Sequence, residues 1–263
     1  MGVLNVTPDS FSDGGRFSDP HEAIAAGLAM WSDGADFVDV GGESTRPGST
    51  GVDAATEIDR VLPVVSALAA GGAAVSIDTS KSEVAAAALD AGAAVVNDVT
   101  AFSDTAMAQL AASSGCGVVL MHMLGEPRTM QHAPTYGDVV QEVRDHLVGR
   151  AADVIGAGVD PSHIALDPGI GFGKTVDHNL RLLSEGVRTL AATGHPVLVG
   201  ASRKSFLGAI TGEAEAVERI PETIAAHALA IAAGASIIRT HDVASGLRSS
   251  LVATAIVRGV VEQ

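Results

Sequence analysis

Short apolar runs alternate with stretches of helical period eight times along this chain, and few architectures satisfy such a pattern. The strand-like runs are Gly2 to Val6, Phe37 to Val40, Ala74 to Ile77, Ala94 to Val96, Val118 to Met121, Ile164 to Leu166, Val197 to Val199 and Ser236 to Ile238. Each precedes a segment whose apolar residues recur every three or four positions, the mark of a helix with one buried face. The helices are expected near Asp19 to Asp33, Glu57 to Ala70, from Ser80 onward, Thr105 to Ser114, Gly137 to Ile155, Val176 to Ala192, Pro221 to Ala233 and Val243 to Val260. Asp19-Pro20-His21-Glu22 and Ser80 with Glu83 read as capping boxes at two of the starts. Eight like units without a linker or a composition break point to an α/β fold: one closed (β/α)8 TIM barrel over residues 1–263, rather than an open doubly wound sheet. The 263-residue length agrees, because barrels of this kind run to about 250 residues.

Charge and cysteine content narrow the partners. The net charge of −15 argues against nucleic acid or an anionic membrane surface, so an anionic ligand must be held by local cations. A single cysteine, Cys116, excludes an internal disulfide framework, fits a reducing cytoplasm, and reads as a buried small hydrophobe. The longest apolar run, near Ile224 to Ala235, is interrupted by His227 and falls short of the ~20 residues of a spanning helix.

In a barrel, chemistry collects where the strands end. Leu198 to Ser205, Leu-Val-Gly-Ala-Ser-Arg-Lys-Ser, shows it best: an apolar run that reads as a strand covered on both faces stops in two cations and two hydroxyls. The other strand ends supply Asn5, Asp39, Asp78, Asn97 with Asp98, Met121 with His122, Asp167, and Arg239 with His241. Such groups are costly to bury unpaired, and a barrel brings all of them to one face. Any one aspartate could as well cap a helix or hold a loop. Together, Asp78, Asn97 and Asp167 offer acceptors and one amide donor to a flat heterocycle presenting several N–H groups, and Lys204 can donate to a ring carbonyl or nitrogen. Arg239, His241 and Asn5 suit a phosphate group, held directly or through a metal; an ion pair of Arg239 with one of the aspartates and a helix-start role for His241 remain open.

Other motifs carry less. Gly169 to Thr175 resembles a phosphate loop, but Pro168 stands where the leading glycine belongs, so it reads as a mobile strand-to-helix loop carrying Phe172. His21, His146, His163, His178, His195 and His227 lack zinc-ligand spacing and read as surface or packing residues. The alternating charges of Glu142 to Arg150 read as a solvated helix face.

Taken together, Leu-Asn-Val-Thr-Pro-Asp-Ser-Phe-Ser-Asp-Gly-Gly (Leu4 to Gly15), Asp-Val-Gly-Gly-Glu-Ser-Thr-Arg-Pro-Gly (Asp39 to Gly48), Asp-Pro-Gly-Ile-Gly-Phe-Gly-Lys (Asp167 to Lys174), Gly-Ala-Ser-Arg-Lys-Ser (Gly200 to Ser205) and Ile-Ile-Arg-Thr-His-Asp-Val (Ile237 to Val243) closely resemble the dihydropteroate synthase family, in order and over essentially the whole chain. The resemblance implies a folate-pathway transferase that joins 6-hydroxymethyl-7,8-dihydropterin diphosphate to p-aminobenzoate and is blocked by sulfonamides. It further implies a pterin site of Asp78, Asn97, Asp167 and Lys204, with Arg239 beside them and Met121 and Phe172 near the ring faces. Asn5, Arg239 and His241 would hold the diphosphate with Mg2+, Asn5 as the metal ligand. Phe11, Thr45, Arg46, Pro47, Phe172 and Ser205 would shape the aminobenzoate site, with Asp9 and Ser10 fixing the first loop as it closes. A homodimer and a cytoplasmic location are expected on the same ground. The implied mechanism is dissociative: diphosphate leaves first, Asp78 and Asp167 steady the resulting cation, and the aromatic amine then attacks without a strong base. Family members often carry a short segment before the first strand, so a less well closed barrel floor is also expected. The alternatives on this fold are a methyltetrahydrofolate methyltransferase, a non-catalytic pterin-binding paralogue, and an aldolase using Lys204 as a Schiff-base lysine.

Overall fold

The computed structural model describes residues 1–7, 20–45, 48–49 and 51–260. The strands are β1 (Gly2–Asn5), β2 (Val38–Gly41), β3 (Val75–Asp78), β4 (Val95–Asp98), β5 (Gly117–Met121), β6 (Ile164–Asp167), β7 (Leu198–Val199) and β8 (Ile237–Ile238). β1 to β6 pair in sequence order, all parallel, and β7 pairs with β8. Two single bridges, Leu166 to Val197 and Gly2 to Thr240, join the two sheets at both seams. Hydrogen bonds from Val3 N–H to Thr240 O at 2.9 Å and from Leu166 N–H to Pro196 O at 2.9 Å complete those seams, so the ring of eight is closed.

The helices are α1 (Pro20–Ser32), α2 (Ala54–Ala70), α3 (Ser82–Asp90), α4 (Thr105–Ser114), α5 (Val139–Gly156), α6 (Val176–Arg181), α7 (Val187–Ala191), α8 (Ser205–Thr211), α9 (Ile220–Ala232) and α10 (Val243–Arg258). Two depart from the one-helix-per-strand pattern. The segment after β6 is broken by a π-turn at Leu182–Gly186, and the short α8 precedes α9. Side-chain caps start several of them: Asp53, Asp104, Asp138 and Asp242 each accept a backbone N–H from the first turn. The cap expected at Ser80 is absent; Lys81 stands at the N-cap of α3 without a capping bond. Asp19 lies outside the described residues.

Alternation along the strands divides the core in two. Leu4, Val38, Val40, Val75, Ile77, Val96, Val118, Leu120, Ile164, Leu166, Val197 and Val199 belong to the large cluster between barrel and helices. Val119, Ala165 and Leu198, with Met1, Val95 and Ile237 against them, form a small separate cluster inside the ring. At ~25 cal/mol per Å² the outer layer supplies most of the burial energy. The expectation that the strands are apolar on both faces holds for that floor only. Nearer the carboxyl ends the inner positions are Asp39, Asn97 and Asp167, all buried.

Candidate active site

The barrel brings strand-end side chains from far apart in sequence into contact. Arg239, just beyond β8, donates from Nε to Asp39 Oδ2 at 2.7 Å and from Nη2 to Asp78 Oδ2 at 2.7 Å. Asn97 Nδ2 donates to the same Asp39 oxygen at 3.1 Å. Contacts among β2, β3, β4 and the end of β8 are possible only across the interior, so these groups face the lumen. The ion-pair reading of Arg239 is therefore what this structure contains, with two aspartates rather than one.

The electrostatics follow from burial and an excess of carboxylates. Burial opposes the Arg239 charge, but Asp39 and Asp78 more than offset it and hold the guanidinium above its ordinary pKa. Asp78 is raised to about 7: burial, with Asp39, Asp98 and Glu57 nearby, outweighs the pull of Arg239. Burial also raises Asp167, although its Oδ1 accepts the Gly169 N–H at 2.7 Å and Lys204, Arg239 and Lys174 all pull the other way. Asn97 has its amide donor engaged by Asp39, and its Oδ1 is buried with no hydrogen-bond partner among the described residues. The cleft thus shows more acceptors than donors.

Lys204 is half-buried at the start of α8, its Nζ 4.0 Å from the centroid of the Phe172 ring. Burial, then Arg239, lowers its pKa to about 8 against the pull of Asp167 and Asp78. Met121, buried, pairs in register with Asp167. Ser205 is exposed at the first position of α8, and Thr45 is half-buried after β2. At the end of β8 the His241 backbone N–H donates to Ser202 Oγ at 3.2 Å, and that hydroxyl lies 3.0 Å from His241 Nδ1, which it can serve as donor. Asn5 Oδ1 and Asp78 Oδ2 flank Gly41, lying 3.6 and 3.8 Å from where a β-carbon there would stand. Asp9, Ser10, Phe11, Arg46 and Pro47 lie outside the described residues.

The glycine-rich loop after β6 corrects the expectation of a mobile segment. Gln131 Nε2 donates to Gly171 O at 2.6 Å, Tyr136 Oη to Gly173 O at 2.9 Å and Lys174 Nζ to Phe172 O at 2.9 Å, while Asn179 Oδ1 accepts the Gly171 N–H at 2.7 Å. Four side chains thereby hold the loop that carries Phe172. Asp98 also leaves the cleft: its carboxylate accepts the N–H groups of Thr100 and Phe102 and shapes the loop after β4.

Asp39 and His122 stand among the strand ends that the sequence marks, but the sequence assigns neither a role; Asp39 is an acid at an inner position of Phe-Val-Asp-Val. Lys174 has no signal beyond the loop motif. Among the described residues no group of three His, Cys, Asp or Glu side chains could hold a metal ion. No helix among them is long and apolar enough to cross a membrane.

Comparison with known proteins gives one consistent result. The sequence model of a family described as "Pterin binding enzyme" matches residues 1–241. The chain is 48% identical to the dihydropteroate synthase of Mycobacterium leprae (strain TN), over 92% of this chain and 88% of that protein. The Yersinia pestis dihydropteroate synthase, solved with a sulfonamide drug complex, superposes with a TM-score of 0.94 at 39% identity, covering 99% of this chain and 94% of that one. The Xanthomonas albilineans dihydropteroate synthase in complex with 7,8-dihydropteroate superposes with a TM-score of 0.86 at 40% identity, covering 97% and 92%.

Proposed function

The chain belongs to the pterin binding enzyme family, and from that premise we propose that it joins 6-hydroxymethyl-7,8-dihydropterin diphosphate to p-aminobenzoate, releasing 7,8-dihydropteroate and diphosphate. It is a transferase of folate synthesis. The observation that carries the reading to this site is the row of acceptors, half-buried Asp78 with buried Asn97 Oδ1 and Asp167, beside one ammonium, Lys204, on an aromatic ring. A pterin presents the complement: several N–H groups along one edge, a carbonyl, and two flat faces for Met121 and Phe172.

Each residue then has a task. Asp78, Asn97 and Asp167 accept from the heterocycle, and Lys204 donates to its carbonyl or ring nitrogen. The two carboxylate bonds of Arg239 use two of its five N–H donors, leaving others for the diphosphate beside His241 and Asn5. The bond from the exocyclic carbon to the diphosphate oxygen breaks first, and its electron pair leaves with the diphosphate. Asp78 and Asp167 stabilise the cation left behind. The aromatic amine adds to that carbon, and the ammonium so formed is acidic enough to lose its proton without a strong base. Thr45, Arg46, Pro47, Phe11, Phe172 and Ser205 shape the aminobenzoate site, where sulfonamides compete, and Asp9 and Ser10 help the first loop exclude water.

Mg2+ is the proposed cofactor. A donor set of one amide oxygen suits a hard cation that keeps its waters and binds mainly through substrate phosphates. When bound, it would neutralise charge on the leaving diphosphate. A homodimer is proposed because α9 and α10 pack together and expose Leu229, Leu251, Val252 and Ile256, each 61–75% accessible. The proposed location is the cytoplasm.

Formation of dihydropteroate from the two substrates, with and without Mg2+, tests the reaction and the metal at once. Turnover that requires Mg2+ is expected. Pterin binding without turnover would replace this reading with that of a non-catalytic pterin-binding protein, and Mg2+-independent turnover would remove the metal.

A further inference from the structure

Lys174 is the one lysine inside the cleft wall that the reaction above leaves unused. It is 3% exposed, within the loop between β6 and α6. Its ammonium has three N–H groups and meets three acceptors: Phe172 O at 2.9 Å, His122 Nδ1 at 3.1 Å and His122 O at 3.3 Å. Its donors are therefore all engaged by the protein. No carboxylate lies among these contacts.

The acceptors belong to two walls of the pterin cleft. His122 directly follows Met121 at the end of β5, and its backbone N–H donates to Asp167 O at 3.0 Å. Phe172 carries the ring that lies on Lys204. Gly169 closes the gap between the walls: at φ +66° a β-carbon there would stand 1.9 Å from His122 O and 3.4 Å from Lys174 Nζ, so only glycine lets the loop lie this close. His122 is a neutral imidazole, since burial, then Lys174, lowers its pKa to about 3. With Nδ1 accepting from the ammonium, its proton sits on Nε2.

A buried ammonium facing carbonyls and an imidazole is an expensive way to hold a loop. Gln131, Tyr136 and Asn179 hold the same loop with neutral groups. Burial lowers the Lys174 pKa to about 7 against the pull of Asp167, so it carries its charge on the acid side of that value. There it acts on Asp167, whose pKa it lowers after Lys204 and Arg239. The charged and titratable groups facing Lys174 are Asp167, Lys204, His122 and His146.

We infer that Lys174 is a positioning residue for the reaction: it sets the Phe172 ring over Lys204 by tying the Phe172 carbonyl to the end of β5, and its charge acts on Asp167, which faces the pterin. The inference rests on reading the cleft as the pterin site.

The test compares Lys174→Met, Lys174→Gln, Phe172→Ala and the Lys174→Met/Phe172→Ala double variant in the full chain, with folding checked by circular dichroism. Lys174→Met should lower kcat/KM for the pterin diphosphate about tenfold, and the double variant should lose no more than the worse single, because both act through one ring. The acid limb of the kcat/KM profile should move to higher pH in Lys174→Met and Lys174→Gln, since removing a nearby positive charge raises Asp167. A purely structural lysine would leave that limb in place. Additive losses would overturn the tie to Phe172, and an unmoved acid limb would overturn the electrostatic role. Lys174→Gln keeps an amide donor without charge, so it reads the second point even if the Met variant misfolds. A wild-type protein that makes no dihydropteroate would instead sink the reading of the site, whereas normal turnover in both lysine variants would sink only the role of Lys174.

Discussion

Replacing Asp39 by asparagine should destabilise the barrel from within, although no substrate atom need touch that residue. Asp39 is 0% exposed, and its Oδ2 accepts both Arg239 Nε at 2.7 Å and Asn97 Nδ2 at 3.1 Å. Asparagine keeps an acceptor but not the charge. Hydrogen bonds to charged groups contribute ~1.5–3 kcal/mol against ~0.5–1.5 for neutral ones, so about 1–1.5 kcal/mol goes with the Arg239 contact. The new amide N–H2 must then take the place of Oδ1, which has no partner among the described residues, and a buried donor without an acceptor costs ~1–3 kcal/mol. Arg239 keeps Asp78 at 2.7 Å, which spares the ~3–5 kcal/mol of an orphaned buried charge. The sum is roughly 2–4 kcal/mol, or about 5–15 °C in Tm for a chain of this size. Urea unfolding without ligand measures it, with the exposed Asp59→Asn as control. A loss under ~0.5 kcal/mol, no larger than an exposed substitution gives, would refute the reasoning. The pH dependence is a second check. Asp78 holds its proton in the fold up to about 7 but only to 3.8 when unfolded, so its ionisation removes stability as pH rises through that window. Asp39 is one of the groups that raise Asp78, so Asp39→Asn lowers the upper edge of the window. The deficit relative to wild type should therefore shrink between pH 5 and pH 8; a growing deficit would contradict the assigned coupling.

Three further predictions concern the cleft and the outer helices. Lys204→Ala should lower turnover by orders of magnitude with the fold intact, as followed by product formation and circular dichroism, and near-normal turnover would remove Lys204 from the site. Burial and Arg239 hold the Lys204 ammonium near 8, so its charge is lost as pH rises through that value; turnover should fall there, and Lys204→Arg should abolish that limb. Leu251→Glu with Ile256→Glu on α10 should convert a dimer into monomers in sedimentation velocity, and an unchanged sedimentation coefficient would move the interface elsewhere.

The sequence alone determined the alternation of strands and helices, because it is written in local periods that need no knowledge of distant residues. It also marked the strand ends, since an aspartate, lysine or arginine that stops a short apolar run stands out wherever the strand goes. Thus Asp78, Asp167, Lys204 and Arg239 were legible one by one. Which of them pair was not. Arg239 and Asp39 lie 200 residues apart, and both pairing and full burial of Asp39 follow from the register in which eight strands close. The α8 segment and the π-turn after α6 were not legible in the sequence either. Lys174 is the sharpest case. A lysine in a glycine-rich turn reads as exposed, yet in the fold it is buried, its nitrogen against the same His122 carbonyl that Gly169 approaches. Local periodicity set the elements, while closure of the ring decided which charges meet, because a buried charge takes its partners from whatever the fold brings within about 3 Å of it.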